Sequence, residues 1–181
     1  MNNKLLKFNS YKGIYERKLI DIYAESNWDN TDYFYPDERD KAKAVKQVEA
    51  DFLDFLEKDF LKQDGSTLWV LEVKSEWVSA LRTSKIRDRL YYLEALETSP
   101  DQRHKGYASL LLSAVIDALK KDGPFRLCDC VSKKNIASLK THEKCGFKIV
   151  SESGYDYLQK TTNDREYGFA YSFDGTVASS I

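Results

Sequence analysis

Cysteine is scarce in this chain: three among 181 residues, and an odd number. A disulfide framework needs cysteines in pairs, so reduced thiols and a cytoplasmic location are expected. An excess of one charge is also missing. With 28 basic and 29 acidic side chains the net charge is -1, which gives no support to nucleic-acid binding, since that usually needs a basic face. No apolar run approaches the roughly 20 residues of a membrane-spanning helix. The opening MNNKLLKFNS has neither the apolar segment nor the cleavage site of a secretory leader. Internal repeats and low-complexity stretches are absent too. What is present is core material, 42% hydrophobic and 13% aromatic residues. One domain over 1–181 is expected, with its core over 4–173 and a loose polar tail over 174–181.

Hydrophobic period divides the chain into elements. Lys4 to Phe8 reads as a short strand, and Tyr11 to Ser26 as a helix through Ile14, Leu19, Ile22 and Tyr23. Asn27 to Tyr35 reads as a loop with exposed aromatics. Pro36 opens a longer helix, with Asp37 and Glu38 in its first turn, a stripe of Val45, Val48, Phe52, Leu56 and Phe60, and a stop at Gly65. From Leu68 the period becomes two. Leu68–Val73, Glu76–Thr83 and Leu90–Glu97 form an antiparallel meander, the first two joined by a Lys74-Ser75 turn. An apolar helix then runs to a stop at Asp122-Gly123-Pro124, and Phe125 to Val131 is a strand. A long helix between two strands implies a parallel right-handed crossover. Asn135 caps a short helix to Lys144, and Phe147 to Phe173 holds at least two strands. Tyr167, Phe169, Tyr171 and Phe173 share one face of the last strand, which offers an edge for a homodimer.

The turn Arg103-His104-Lys105-Gly106-Tyr107-Ala108 joins a strand to that apolar helix. Such a unit aims backbone N–H groups at one point, where the helix dipole also favours an anion. Gly106 and Ala108 allow close approach of a ligand to the backbone, and Arg103 and Lys105 add positive charge. Taken alone, Gly-x-Ala also fits an ordinary helix start with solvated basic residues.

Two stretches together carry a resemblance. Arg103-x-x-Gly106-x-Ala108 resembles motif A of the GNAT superfamily of N-acetyltransferases, whose loop grips the pyrophosphate of acetyl-CoA. Val131-x-x-x-Asn135-x-x-Ser138-x-x-x-His142-Glu143-Lys144-Cys145-Gly146-Phe147 resembles its motif B. The resemblance spans about residues 4–173. It implies an α/β (α+β) fold, with a mixed, mostly antiparallel sheet of about six to seven strands flanked by about four helices. It also implies an enzyme that moves acetyl from acetyl-CoA to a primary amine by direct attack in a ternary complex. Carried over by position, Leu96 and Thr98 meet pantetheine through their backbone groups. Arg103, His104, Lys105, Gly106, Tyr107 and Ala108 meet the pyrophosphate, with the Ser109 hydroxyl in reach. Asn135 meets the pantetheine arm or caps its helix, roles that do not exclude each other.

The attacking amine must lose a proton, and Glu94 and Glu97 are the candidate bases. On a regular strand they point to opposite faces, and a bulge would exchange those faces. His142 stands where many members carry a tyrosine that protonates the departing sulfur, so it is either the acid or a packing residue. Cys128-x-Cys130 with His142 and Cys145 offers four zinc-type ligands, but the first spacing is short and FRLCDCV reads as a buried strand. Inert thiols and no metal are expected. Residues 21–64 hold 13 acidic and 6 basic side chains, a charge of -7. Asp29, Asp32, Asp37, Glu38 and Asp40 surround Trp28, Tyr33, Phe34 and Tyr35, a composition suited to a small cationic amine or to a solvated acidic face. A peptide or protein N-acetyltransferase, and a non-catalytic acyl-CoA-binding module, are the alternatives.

Overall fold

The computed structural model describes residues 3–175. Its centre is a seven-stranded sheet. Strands β1 (Asn3–Phe8), β2 (Thr67–Val73), β3 (Glu76–Arg87) and β4 (Leu90–Thr98) run antiparallel in that order. Helix α4 (Tyr107–Lys120) then crosses over to β5 (Phe125–Ser132), which pairs parallel with β4. The other helices are α1 (Glu16–Ile22), α2 (Ala24–Phe34), α3 (Lys41–Lys58) and α5 (Ile136–Lys144). After α5 come β6 (Lys148–Ser151), a small hairpin of β7 (Gly154–Asp156) and β8 (Thr161–Asn163), and β9 (Glu166–Phe173).

Two cores form on opposite faces of the sheet. Leu111, Leu112, Val115, Ile116 and Leu119 of α4 are buried against Leu81, Leu93, Leu127 and Phe169. Each such side chain contributes about 1.5–3 kcal/mol by leaving water. On the other face Leu19 and Ile22 of α1, with Leu56 of α3 and Phe60 just after it, cover Leu68, Val70 and Ala80.

Three expectations need correction. Asn27–Tyr35 is not a loop, because α2 covers most of it. Its buried residues are Asn27 and Thr31, so the inward stripe is polar and a hydrophobic period cannot reveal the helix. The long helix starts at Lys41 rather than at Pro36, since Asp40 accepts from the Ala42 and Lys43 amides at 3.0 and 3.2 Å and caps it there. The last strand is not an edge. β9 lies between β5 and β6, so its aromatic face packs on the α4 core and the expected homodimer edge is not available there. The expected loose tail falls mostly at 176–181, outside the described residues.

Candidate active site

Strands β4 and β5 pair only where Leu90–Tyr92 meet Arg126–Cys128. Beyond that point residues 95–98 and 129–132 part, and both segments line one cavity of about 830 Å³. That volume lies inside the roughly 300–1,000 Å³ usual for ligand sites.

A bulge in β4 shapes the opening. Arg82 pairs with Glu94 and Ala80 with Glu97, so two residues of β4, Ala95 and Leu96, stand opposite the single Leu81. Ala95 takes φ +53° to make the turn, and the Tyr23 hydroxyl donates to its carbonyl at 3.0 Å. Ala80 and Arg82 share a face, so the bulge brings Glu94 and Glu97 onto that same face. The alternation expected of a regular strand does not apply.

The two carboxylates nevertheless have different surroundings. Glu94 Oε1 lies 3.0 Å from Arg82 Nε. The Arg82 guanidinium packs 5.1, 5.4 and 5.9 Å from the rings of Phe55, Phe60 and Phe52. Glu94 does not line the cavity, whereas Glu97 does. Burial pushes the Glu97 carboxyl above its ordinary value, against the pull of Ser26 and Arg103. Burial raises Glu94 as well, against Arg82.

The loop before α4 forms the second wall. Gly106 has φ +78°, and a Cβ built there would meet no atom within 4 Å, so the space above it is open. The first-turn amides of α4 face that space without helical acceptors. Arg103, His104, Gly106, Tyr107, Ala108 and Ser109 line the cavity. Lys105 does not: its ammonium turns back to Gln102 Oε1 at 2.9 Å and the Asp101 carbonyl at 3.2 Å. Leu96 and Thr98 line it from β4, and Asn135 from the start of α5, where its Oδ1 accepts from the Ser138 amide at 3.0 Å.

His142 is fully buried at the floor. Its Nδ1 donates to the Ser138 carbonyl at 2.8 Å, and its Nε2 lies 2.7 Å from Asp129 Oδ2. Burial alone would lower the imidazole pKa, but the Asp129 carboxylate outweighs it and raises the value. Both ring nitrogens are therefore engaged within the protein. Asp129 escaped the sequence reading, although an acid inside FRLCDCV was itself a signal: a buried carboxylate needs a partner.

The third wall is α2, which supplies Glu25, Ser26 and Asp29. Asp29 falls in the stretch expected as a loop, whereas Glu25 and Ser26 close the expected first helix, which ends where α2 begins. Of the acids around the aromatics, Asp32 pairs with Lys41 at 2.6 Å, Glu38 pairs with Lys43 at 2.5 Å, and Asp40 caps α3. Asp29 is the member of that group that lines the cavity. The cysteines lie apart from one another chemically. Cys145 Sγ donates to the Ser109 carbonyl at 3.5 Å, Cys128 Sγ faces the Tyr157 hydroxyl at 3.9 Å, and burial pushes the Cys130 thiol up to about 11. Among the described residues no group of three or more His, Cys, Asp or Glu side chains is placed to hold a metal ion. Among the same residues no helix is long and apolar enough to cross a membrane.

A model of the Acetyltransferase (GNAT) family matches residues 22–147. No curated protein matches the chain. Among solved structures it is similar to PaiA N-acetyltransferase from Thermoplasma acidophilum in complex with coenzyme A. The two are 17% identical over 96% of this chain and 100% of that one, with a TM-score of 0.64. It is also similar to the ribosomal-protein-S18-alanine N-acetyltransferase of Escherichia coli, at 14% identity, 99% of each chain and a TM-score of 0.61. A third is Campylobacter jejuni PseH in complex with acetyl coenzyme A, at 13% identity, 94% and 99% coverage and a TM-score of 0.57. At these identities the likeness is one of fold.

Proposed function

The chain belongs to the GNAT family of acetyltransferases, and on that premise we propose that it binds acetyl-CoA in the cavity between β4 and β5 and acetylates a primary amine of a small cationic molecule. The observation that carries this reading is the position of Glu97. Its carboxylate lines the same cavity as the Arg103–Ser109 loop and faces the acidic wall of α2.

Fit to the cofactor rests on the open cradle above Gly106 and on the unpaired stretch of β4. In this reading the amides of the loop and of the first α4 turn hold the pyrophosphate, with Arg103 beside them. The backbone of Leu96 and Thr98 takes pantetheine as an added strand, and Asn135 keeps α5 in place by capping it. When bound, acetyl-CoA supplies an acetyl group activated as a thioester.

The remaining work belongs to the chain. Glu25, Asp29 and Glu97 attract an ammonium group through their charge, and Glu97 accepts the proton that must leave nitrogen before attack. A carboxyl raised by burial is better matched to that task near neutral pH than an exposed one. Glu94 holds Arg82 instead. His142 takes no acid role here, because its nitrogens are committed to Ser138 and Asp129; it anchors the β5 wall. Three free thiols support a cytoplasmic location.

Thiol release from acetyl-CoA across a panel of diamines, aminoglycoside-like amines and peptides is the test. Turnover with small cationic amines is expected. Turnover confined to peptides would replace the acceptor, and silence with every amine despite CoA binding would leave a binding module.

A further inference from the structure

Arg103 is already occupied. Its Nη2 donates to the carboxylate of Glu25 in the first turn of α2, across the mouth of the cavity. Both side chains line that cavity, next to Glu97 and Asp29, and both keep contact with solvent, at 38% and 52% exposure. The pairing holds the Glu25 carboxyl below the usual carboxylate range. The same Arg103 stands in the loop that, under the acetyl-CoA reading, receives the pyrophosphate. A diphosphate carries more charge than one carboxylate and is held at the same time by the first-turn amides of α4. In a competition for one guanidinium it wins.

We propose that Glu25 is a placeholder anion: the incoming pyrophosphate takes Arg103 from it, and the freed carboxylate then joins Asp29 as a cation subsite on the acceptor side of the cavity. Glu25 is thus a positioning residue. It keeps Arg103 oriented across the mouth of the cavity, weakens cofactor binding slightly, and becomes available to an ammonium group only once the cofactor is in place. The inference rests on the acetyl-CoA reading and adds an order of events to it. Because the pair is exposed, its effect is a factor of about two to five rather than of hundreds.

Calorimetric titration with CoA tests the exchange in wild type, Glu25→Gln, Arg103→Gln and the double variant. Glu25→Gln is expected to tighten CoA about two- to fivefold when Arg103 is present, and to change nothing in the Arg103→Gln background. A side-chain carboxyl 13C titration of Glu25 gives a readout that a merely structural residue would not move. Its pKa is expected to rise toward an ordinary glutamate value when CoA is added, and this rise is expected to vanish in Arg103→Gln. Equal gains from Glu25→Gln in both backgrounds would mean plain charge repulsion and would overturn the exchange. A Glu25 titration unmoved by bound CoA would overturn it as well. Failure of wild type to bind CoA at all would instead remove the cofactor reading underneath.

Discussion

His142 Nε2 lies 2.7 Å from Asp129 Oδ2, an ion pair that ties α5 to β5 with the imidazole fully out of solvent. Its second nitrogen is held by the Ser138 carbonyl at 2.8 Å. The position that motif B would give to a proton donor is thus held between two protein partners, and removing either member of the ion pair leaves the other polar and buried. Asp129→Asn and His142→Ala are each expected to cost about 3–5 kcal/mol, read as a lowered urea midpoint. A change in turnover without a change in stability would return His142 to the chemistry.

The same pair sets a pH dependence. The folded-state pKa of His142 is raised above its unfolded value near 6.5, so its stabilisation is complete below that value and is lost as pH rises through the folded pKa. Burial raises Asp129 too, which adds a loss in the same direction at lower pH. Urea midpoints measured from pH 5 upward are expected to fall for wild type and to flatten above pH ~6.5 for His142→Gln.

Glu97 and Glu94 are predicted to separate by readout. Glu97→Gln is expected to lower thiol release by about 10²–10⁴-fold with little effect on folding. Wild-type rate is expected to fall as pH drops through the raised Glu97 pKa, a limb that the variant lacks. Glu94→Gln is expected to act mainly on stability, because Arg82 is then left without its carboxylate under three aromatic rings. Parallel pH–rate profiles and denaturation curves decide between them, and a Glu97→Gln enzyme with the wild-type profile would remove that residue as base.

Gly106 offers a test of the cradle. Valine there would project into empty space above the loop and would have to adopt φ +78°. Gly106→Val is expected to cost about 1–3 kcal/mol in backbone strain and to abolish the melting-temperature rise that acetyl-CoA produces in wild type. A shift of normal size in the variant would place the cofactor elsewhere.

Asn135→Ala isolates the cap. Loss of the Oδ1 acceptor for the Ser138 amide is expected to cost about 1 kcal/mol in thermal unfolding. If CoA affinity falls by more than that stability change explains, Asn135 also touches the cofactor.

Sequence by itself determined whatever depends on neighbours a few residues apart. The strand period of β2 to β4, the apolar stripe of α4, the Gly106 turn and the Asn135 cap are all local, and they were legible with boundaries close to those observed. So was the pair of motifs that marked the family. Tertiary structure decided the rest. α2 packs on α3, and its buried residues are Asn27 and Thr31, a polar stripe that no hydrophobic count can see. β9 inserts between β5 and β6 because strand neighbours are chosen by long-range pairing, not by chain order. The bulge at Ala95 sets the direction of both glutamates, and it exists only in register with β3. His142 finds Asp129, and Arg103 finds Glu25, across 13 and 78 residues of chain. Such charges meet because burial and an open cleft leave them few other partners, and that geometry is a property of the packed sheet rather than of any one stretch of sequence.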